Sequence, residues 1–299
     1  MNDSIRPKKS VMFGYMAPIY IIYIIFFLAP VCLAVYFSFF NFRNINSKVF
    51  IGFRNYAKLF RDAKVLLSLQ NNLHLMVMNT VGQIGIAFIL ANFLNSRAVN
   101  KKAASFFRTV IYFPHVLSAI IIGYVWTMVY DYKYGIINTL LRMMGLEELT
   151  QVWLSKGDII MTVVSIPMIW QHIGFHLIIL MAAMTAIDPE IYEMADLDGA
   201  SPFRKAVSIT LPLIRNTLFI CIILCISANL KAFDSIVAMT NGGPGFSSMV
   251  IALYAYNQSF TQINIGYGNT VSVAMMVIMV VVFGGSRSII NYINKKNAY

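Results

Sequence analysis

Between Tyr192 and Pro212 the chain reads YEMADLDGASPFRKAVSITLP, a largely polar run marked by Gly and Pro. Long apolar stretches flank it on both sides, and that contrast decides the fold. A chain this apolar that keeps such a run between two greasy stretches presents it to something in the water. The punctuation of the run is ordered. Asp188-Pro189-Glu190 has the form of a helix start, with an N-cap acceptor, proline at the first position and an acid in the first turn. The short helix it opens carries Tyr192, Glu193 and Ala195. Asp198-Gly199 ends it, because glycine accepts the left-handed backbone of a helix terminus. Ser201-Pro202 repeats the start signal for a second short helix, with Phe203, Ala206 and Val207 on one side. Leu211-Pro212 then turns the chain into the next apolar stretch. The expected element is helix–turn–helix, too polar for lipid and too well punctuated for a slack linker.

The 299 residues are 59% hydrophobic and only 12% charged, with a mean hydropathy of +0.70. Water-soluble domains carry about 25% charged residues, so that class is excluded. Six apolar stretches, near 11–40, 73–95, 108–130, 158–185, 213–238 and 268–290, are long enough for a hydrocarbon core that takes about 20 helical residues. Transmembrane β-strands alternate and need only about ten residues. The expectation is an all-α polytopic membrane protein with about six transmembrane helices.

The formal charge of +11 has no basic run interleaved with aromatics outside a span, so nucleic acid is not an expected partner. With the N-terminus inside, the inner segments hold more Lys and Arg than the outer ones, among them Arg6, Lys8, Lys9, Arg97, Lys101, Lys102, Arg108, Arg204, Lys205, Arg215, Arg287, Lys295 and Lys296. The first outer loop, with Arg43, Lys48, Arg54, Lys58, Arg61 and Lys64, runs against this bias. Six spans place both termini in the cytoplasm and the protein in the plasma (inner) membrane. The apolar run after MNDSIRPKK is too long for a signal peptide and is expected as a retained first span. Cys32, Cys221 and Cys225 all lie in apolar spans and are expected as small buried hydrophobes.

The organisation follows: 1–70 as first span and outer-surface segment, 71–292 as a core carrying the polar loop at 186–212, and 293–299 as a cytoplasmic tail. In the stretch 41–72, Tyr56 and Phe60 at i, i+4 fit a short amphipathic helix on the outer surface; an ordinary connecting loop fits as well. Pro114 and Pro167 lie inside spans three and four, where a missing backbone donor kinks the helix. Trp153-Leu154 reads as an interfacial anchor, and Asn241-Gly242-Gly243-Pro244-Gly245 as a tight bend.

The polar loop closely resembles the coupling loop of ABC importer permeases, whose pattern runs Glu-Ala-Ala, Asp-Gly-Ala, then Ile-x-Leu-Pro. Glu193, Ala195, Asp198, Gly199, Ala200, Ile209, Leu211 and Pro212 match it in place, and Met194 replaces one alanine. The resemblance covers roughly 50–290 and is strongest to the maltose- and multiple-sugar-type inner-membrane permeases. It is carried also by GFRNY (52–56), FFRTVIYFPHVLS (106–118), Trp153-Leu154-Ser155, Trp170-Gln171, KAFDSIVAMTNGGPG (231–245), the stretch Tyr254 to Phe260 and Gly266-Tyr267-Gly268. It implies a type I ABC importer permease bundle, a transport subunit rather than an enzyme, whose loop docks on a cytoplasmic ATPase. It further implies a second, different permease subunit, an extracytoplasmic sugar-binding protein, and no cofactor.

The chain has no GxxxxGK[ST] phosphate loop and no acidic relay inside its spans. Energy is therefore expected from another subunit; an ATP-independent secondary transporter or channel is the alternative reading. A sugar site needs hydroxyl-bonding side chains and aromatic faces. Span four offers Gln171 and Phe175 on one face, and His172 and His176 on another, without a third metal ligand. Span five offers Asn229 and Phe233 at i, i+4, with Lys231 and Asp234 expected to share a face as an ion pair. The resemblance puts both spans beside the translocation path, which makes Gln171, His172, Phe175, Asn229, Lys231, Phe233 and Asp234 the substrate-path candidates. Buried His and Asn that simply bond neighbouring helices are the other reading of the same residues.

Overall fold

The computed structural model describes residues 9–42, 48–96 and 99–296, and the side chains of 11, 13–42, 48–96 and 99–285. Of the charges used for orientation, Arg6, Lys8, Arg43 and Arg97 lie outside the described residues. So do the side chains of Lys9, Arg287, Lys295 and Lys296, and residues 297–299.

The chain is helical nearly throughout. In order it forms α1 (Lys9–Tyr23), α2 (Ala29–Ser38), the strands β1 (Phe40–Phe42) and β2 (Lys48–Phe50), α3 (Arg54–Leu59), α4 (Ala63–Leu94), α5 (Lys101–Val116), α6 (Ala119–Val129), α7 (Ile136–Met143) and α8 (Ile160–Thr185). There follow α9 (Pro189–Leu197), α10 (Pro202–Lys205), α11 (Leu211–Leu213), α12 (Arg215–Leu230), α13 (Asp234–Met239), α14 (Ile251–Tyr256) and α15 (Ile265–Lys296). A π-turn, Ile24–Leu28, joins α1 to α2. Among the described residues, four helical stretches are long and apolar enough to cross a membrane, Phe13–Ser38, Ala63–Leu94, Ile160–Thr185 and Ile265–Gly285; counting each of two bent pairs as one span gives up to six.

Contacts divide the chain into two units. One combines the residues before Ala63 with Ala255–Met276; the other combines Ala63–Tyr254 with the residues from Val277 onward. In the first, β1 and β2 pair antiparallel with Phe40 opposite Phe50. The Asn55 amide donates to the carbonyls of Ser38 (2.8 Å) and Phe40 (3.0 Å), and the Thr270 hydroxyl donates to Ser38 as well (3.1 Å). Of the two readings of 41–72, a short helix is present as α3, ending just before Phe60, and a two-stranded antiparallel sheet precedes it.

In the second unit α4, α5, α8 and α12 share one apolar core of Ile84, Ala87, Ala91, Leu177, Leu180, Met184, Cys221 and Cys225. Lipid is as apolar as these side chains, so close fit rather than water exclusion holds such helices together. Small residues supply the fit. At Gly174 an added Cβ would overlap the backbone of Ile111 and Tyr112, so glycine sets how closely α8 approaches α5.

Two expected spans are not single rods. Span three, expected to kink at Pro114, instead breaks at Leu117-Ser118, where both residues are extended, and α5 and α6 meet at 98°. The Gln171 amide of α8 donates to the Leu117 carbonyl freed by that break (3.0 Å). Span five stops at Leu230, and Phe233 has φ −145° and ψ −61° before α13 begins. Asn229 and Phe233 therefore do not share a helical face, and Lys231 and Asp234 form no ion pair with each other. The physical reason is a better set of partners. The Asn72 amide of α4 donates to the carbonyls of Asn229 (2.9 Å) and Leu230 (3.3 Å), while its oxygen accepts the Ile251 N–H at the start of α14 (2.8 Å). One side chain thus caps the end of one helix and the beginning of another. By contrast, α8 runs unbroken through Pro167. The Val163 carbonyl, which loses its i+4 donor to that proline, accepts the Tyr130 hydroxyl (2.9 Å).

Replacing Asn72 with Ala removes the partner of the Leu230 carbonyl and of the Ile251 N–H, at a cost of about 1–3 kcal/mol for each unsatisfied group, while the Asn229 carbonyl keeps the Ala232 N–H. The thermal unfolding midpoint of N72A in detergent is expected to fall by several degrees. L73A, altered at the adjacent exposed position, is expected to match the parent.

Candidate functional site

The polar loop between α8 and α12 is a built element. Asp188 accepts the Glu190 N–H (3.0 Å) and Ser201 accepts the Arg204 N–H (3.3 Å), so both expected N-caps are formed. Between them, Gly199 has φ +71°, the Gly199 N–H reaches the Asp196 carbonyl (3.1 Å) and the Ala200 N–H reaches that of Ala195 (2.9 Å). This pair of bonds is the Schellman terminus, which needs a left-handed residue at that position. The Lys205 ammonium meets the Asp196 carboxylate (2.5 Å), and the Tyr192 and Thr210 hydroxyls bond across the turn (2.9 Å). The turn into span five falls at Ile214, two residues beyond Pro212. A π-turn, Ala206–Thr210, carries α10 into α11 before the chain bends by 77°.

Ala195 is buried inside the loop and Ile209 is half-buried; Glu193, Asp198, Gly199, Leu211 and Pro212 face outward. The outer surface also carries Leu197 (89% exposed), Phe203 (79%) and Met194 (59%). Three large apolar side chains on a segment too polar for lipid form a surface that gains by being covered.

The second candidate region is the seam between α5 and α8. His115 Nδ1 and His172 Nδ1 lie 2.9 Å apart, so one ring donates and the other accepts, and at least one is neutral. Phe175 stacks on His115 with centroids 4.9 Å apart and planes 24° apart. Tyr112 approaches the same histidine at 5.4 Å. Gln171 Oε1 and His176 Nδ1 are buried without a hydrogen-bond partner among the described residues. Toward the loop the seam widens into a groove of about 560 Å³ lined by Ser105, Arg108, Thr109, Tyr112, Met181 and Thr185. On α5, Ser105, Arg108, Thr109, Tyr112 and His115 follow helical spacing and form one polar and aromatic stripe.

The remaining path candidates separate from this seam. Asn229 sits in a buried network. Its oxygen accepts from the Asn79 amide, and its own amide donates to the Cys225 carbonyl (2.8 Å). Gln83 accepts from the Cys225 thiol (3.4 Å) and donates to the Met168 carbonyl (3.2 Å). Lys231 and Asp234 are exposed and Phe233 is half-buried. Sequence reasoning missed His115 as the ring that gathers His172 and Phe175, and it missed Asn72, Asn79 and Gln83. Those three recur at intervals of seven and four along an apolar stretch, a one-face spacing that signals a buried polar strip.

A bundle of long apolar helices, carrying one rigid polar loop and a hydroxyl- and ring-lined seam, defines a transport permease. Residues 83–297 match the family described as binding-protein-dependent transport system inner membrane component, and the chain belongs to that family. It is 31% identical to the diacetylchitobiose uptake system permease protein NgcF of Streptomyces coelicolor, over 87% of this chain and 76% of that protein. It is 27% identical to the trehalose/maltose transport system permease protein MalF of Thermococcus litoralis, over 93% and 95%. Among solved structures, a chain of a bacterial alginate ABC transporter, crystallised with an alginate pentasaccharide-bound periplasmic protein, superposes with a TM-score of 0.82. It has 22% identity, and 95% of each chain is covered. The chain is thus a membrane permease component, not an enzyme, with the importer-permease fold.

Gly199→Val forces a β-branched residue into the left-handed region, at a cost of about 1–2 kcal/mol. Hydrogen exchange of the 195–200 amides is expected to quicken roughly tenfold, with the protection of α8 unchanged.

Proposed function

We propose that this chain is one of two different permease subunits in an ATP-driven importer, forming half of the path for an oligosaccharide. Both termini face the cytoplasm, and an extracytoplasmic binding protein delivers the cargo. The 188–212 loop docks on a cytoplasmic ATPase, with Glu193, Ala195, Asp198, Gly199, Ile209, Leu211 and Pro212 shaping the docked element.

The observation that carries this reading is the loop itself. It is capped at both helix starts and closed by Gly199, yet it holds Leu197, Phe203 and Met194 out in water. A rigid element with exposed apolar side chains transmits force when a partner closes on it; a slack one would absorb the motion. The saccharide assignment draws on the cargoes in the names of the relatives, diacetylchitobiose, trehalose and maltose, and on the α5–α8 seam. There Phe175 and His115 offer ring faces, while His172 and the hydroxyls of Ser105, Thr109 and Thr185 offer hydrogen bonds. Gln171 and Asn229 then act chiefly by holding the helices that frame the path, since their amides are bonded within the bundle.

Phe203→Asp and Glu193→Ala are expected to insert in the membrane at parental levels, to lose co-purifying ATPase, and to import no labelled oligosaccharide. Normal uptake by both variants would remove the docking assignment. Phe175→Ala keeps the loop intact, so it is expected to retain the ATPase while raising the KM for uptake roughly twofold to twelvefold. That range is the equivalent of the ~0.5–1.5 kcal/mol of a ring contact.

A further inference from the structure

The segment joining the first two candidate spans has chemistry that transport does not use. Residues 39–62 follow one candidate span, Phe13–Ser38, and lead directly into the next, Ala63–Leu94. Inside its own unit this segment is firmly held. The Tyr56 hydroxyl bonds the Ser38 hydroxyl (2.7 Å), the Tyr267 hydroxyl donates to the Asp62 carboxylate (2.6 Å), and the Lys58 ammonium lies 3.9 Å from the Tyr267 ring centre.

Its outward residues are of two kinds. Phe60 (86% exposed), Phe53 (73%) and Phe50 (68%) are largely exposed, with Phe53 edging against Phe39 and Tyr56 and Phe50 against Phe40. Arg54 and Arg61 are exposed, and their guanidinium groups have no ion-pair, hydrogen-bond or ring partner among the described residues. Asp62 is the sole carboxylate in 39–62, and it is engaged by Tyr267. Phenylalanines next in sequence to unpaired guanidinium groups (Phe53-Arg54 and Phe60-Arg61), on a segment that connects two candidate spans, match a headgroup layer. The rings enter the acyl boundary, and the planar forks accept phosphate oxygens bidentately.

We infer that this face, Phe50, Phe53 and Phe60 with Arg54 and Arg61, binds the phosphate headgroups of anionic phospholipid. The charge complementarity favours lipid over a protein partner. Each basic residue near an anionic surface strengthens attachment by about fivefold, so the two arginines together contribute roughly twentyfold to thirtyfold.

The test uses the full chain in its transport complex, equilibrated with equal phosphatidylglycerol and phosphatidylcholine, and native mass spectrometry of the retained lipid. The parent is expected to retain phosphatidylglycerol preferentially. R54Q/R61Q is expected to lose that preference about twentyfold, R54K/R61K to keep most of it, and 0.5 M salt to weaken it in the parent. Phe60→Ser is expected to lower retention of both lipids. Equal retention of the two lipids by the parent would overturn the proposal. So would an unchanged preference in R54Q/R61Q, or a double variant that keeps its lipid but loses stimulation by the extracytoplasmic binding protein. If R54Q/R61Q fails to assemble, the salt series and R54K/R61K decide the question on the same criteria.

Discussion

A helix that breaks inside a bilayer abandons carbonyls that no water can reach, and each must find a donor within the protein. Three side chains meet that demand here. Gln171 serves the Leu117 carbonyl at the bend between α5 and α6, Tyr130 serves Val163 below Pro167, and Asn72 serves Asn229 and Leu230 where α12 stops. Each donor comes from a different helix from the one it repairs. The repairs therefore double as joints: α8 is tied to the α5–α6 corner, and α4 to the end of α12 and the beginning of α14.

These joints explain how an apolar bundle keeps irregular backbone in its middle. Asn72, Asn79, Gln83, Cys225 and Asn229 form a connected polar strip amid Leu, Ile and Ala. In water such a strip competes with solvent; between helices in lipid its only alternatives are partners elsewhere in the protein. Among the described residues, buried polar atoms without a partner remain in both regions: Asn79 Oδ1 in the strip, and Gln171 Oε1 and His176 Nδ1 in the α5–α8 seam.

The polar loop was legible residue by residue. Asp188, Pro189, Gly199, Ser201 and Pro202 act through local backbone chemistry, and the structure forms both caps and the left-handed turn that they specify. The apolar stretches were legible too, since length and composition alone define a span. The interruptions were not. Asn229 and Phe233 looked like one helical face because periodicity assumes that a helix continues, and the reason it stops is a side chain more than 150 residues earlier. Pro114 drew attention to the wrong residue, because the break follows it by three positions, where a donor on α8 waits. His115 entered only as part of a resemblance, since its meaning lies in the rings of another helix.

Composition and local pattern thus settled a helical membrane chain with one ordered loop in water, because hydropathy and capping depend on neighbours in sequence. Which spans bend, which polar groups are spent on joints and which are left facing a seam was decided by the tertiary structure. A buried donor and its acceptor need only be close in space, and no local rule says which distant amide will reach an abandoned carbonyl.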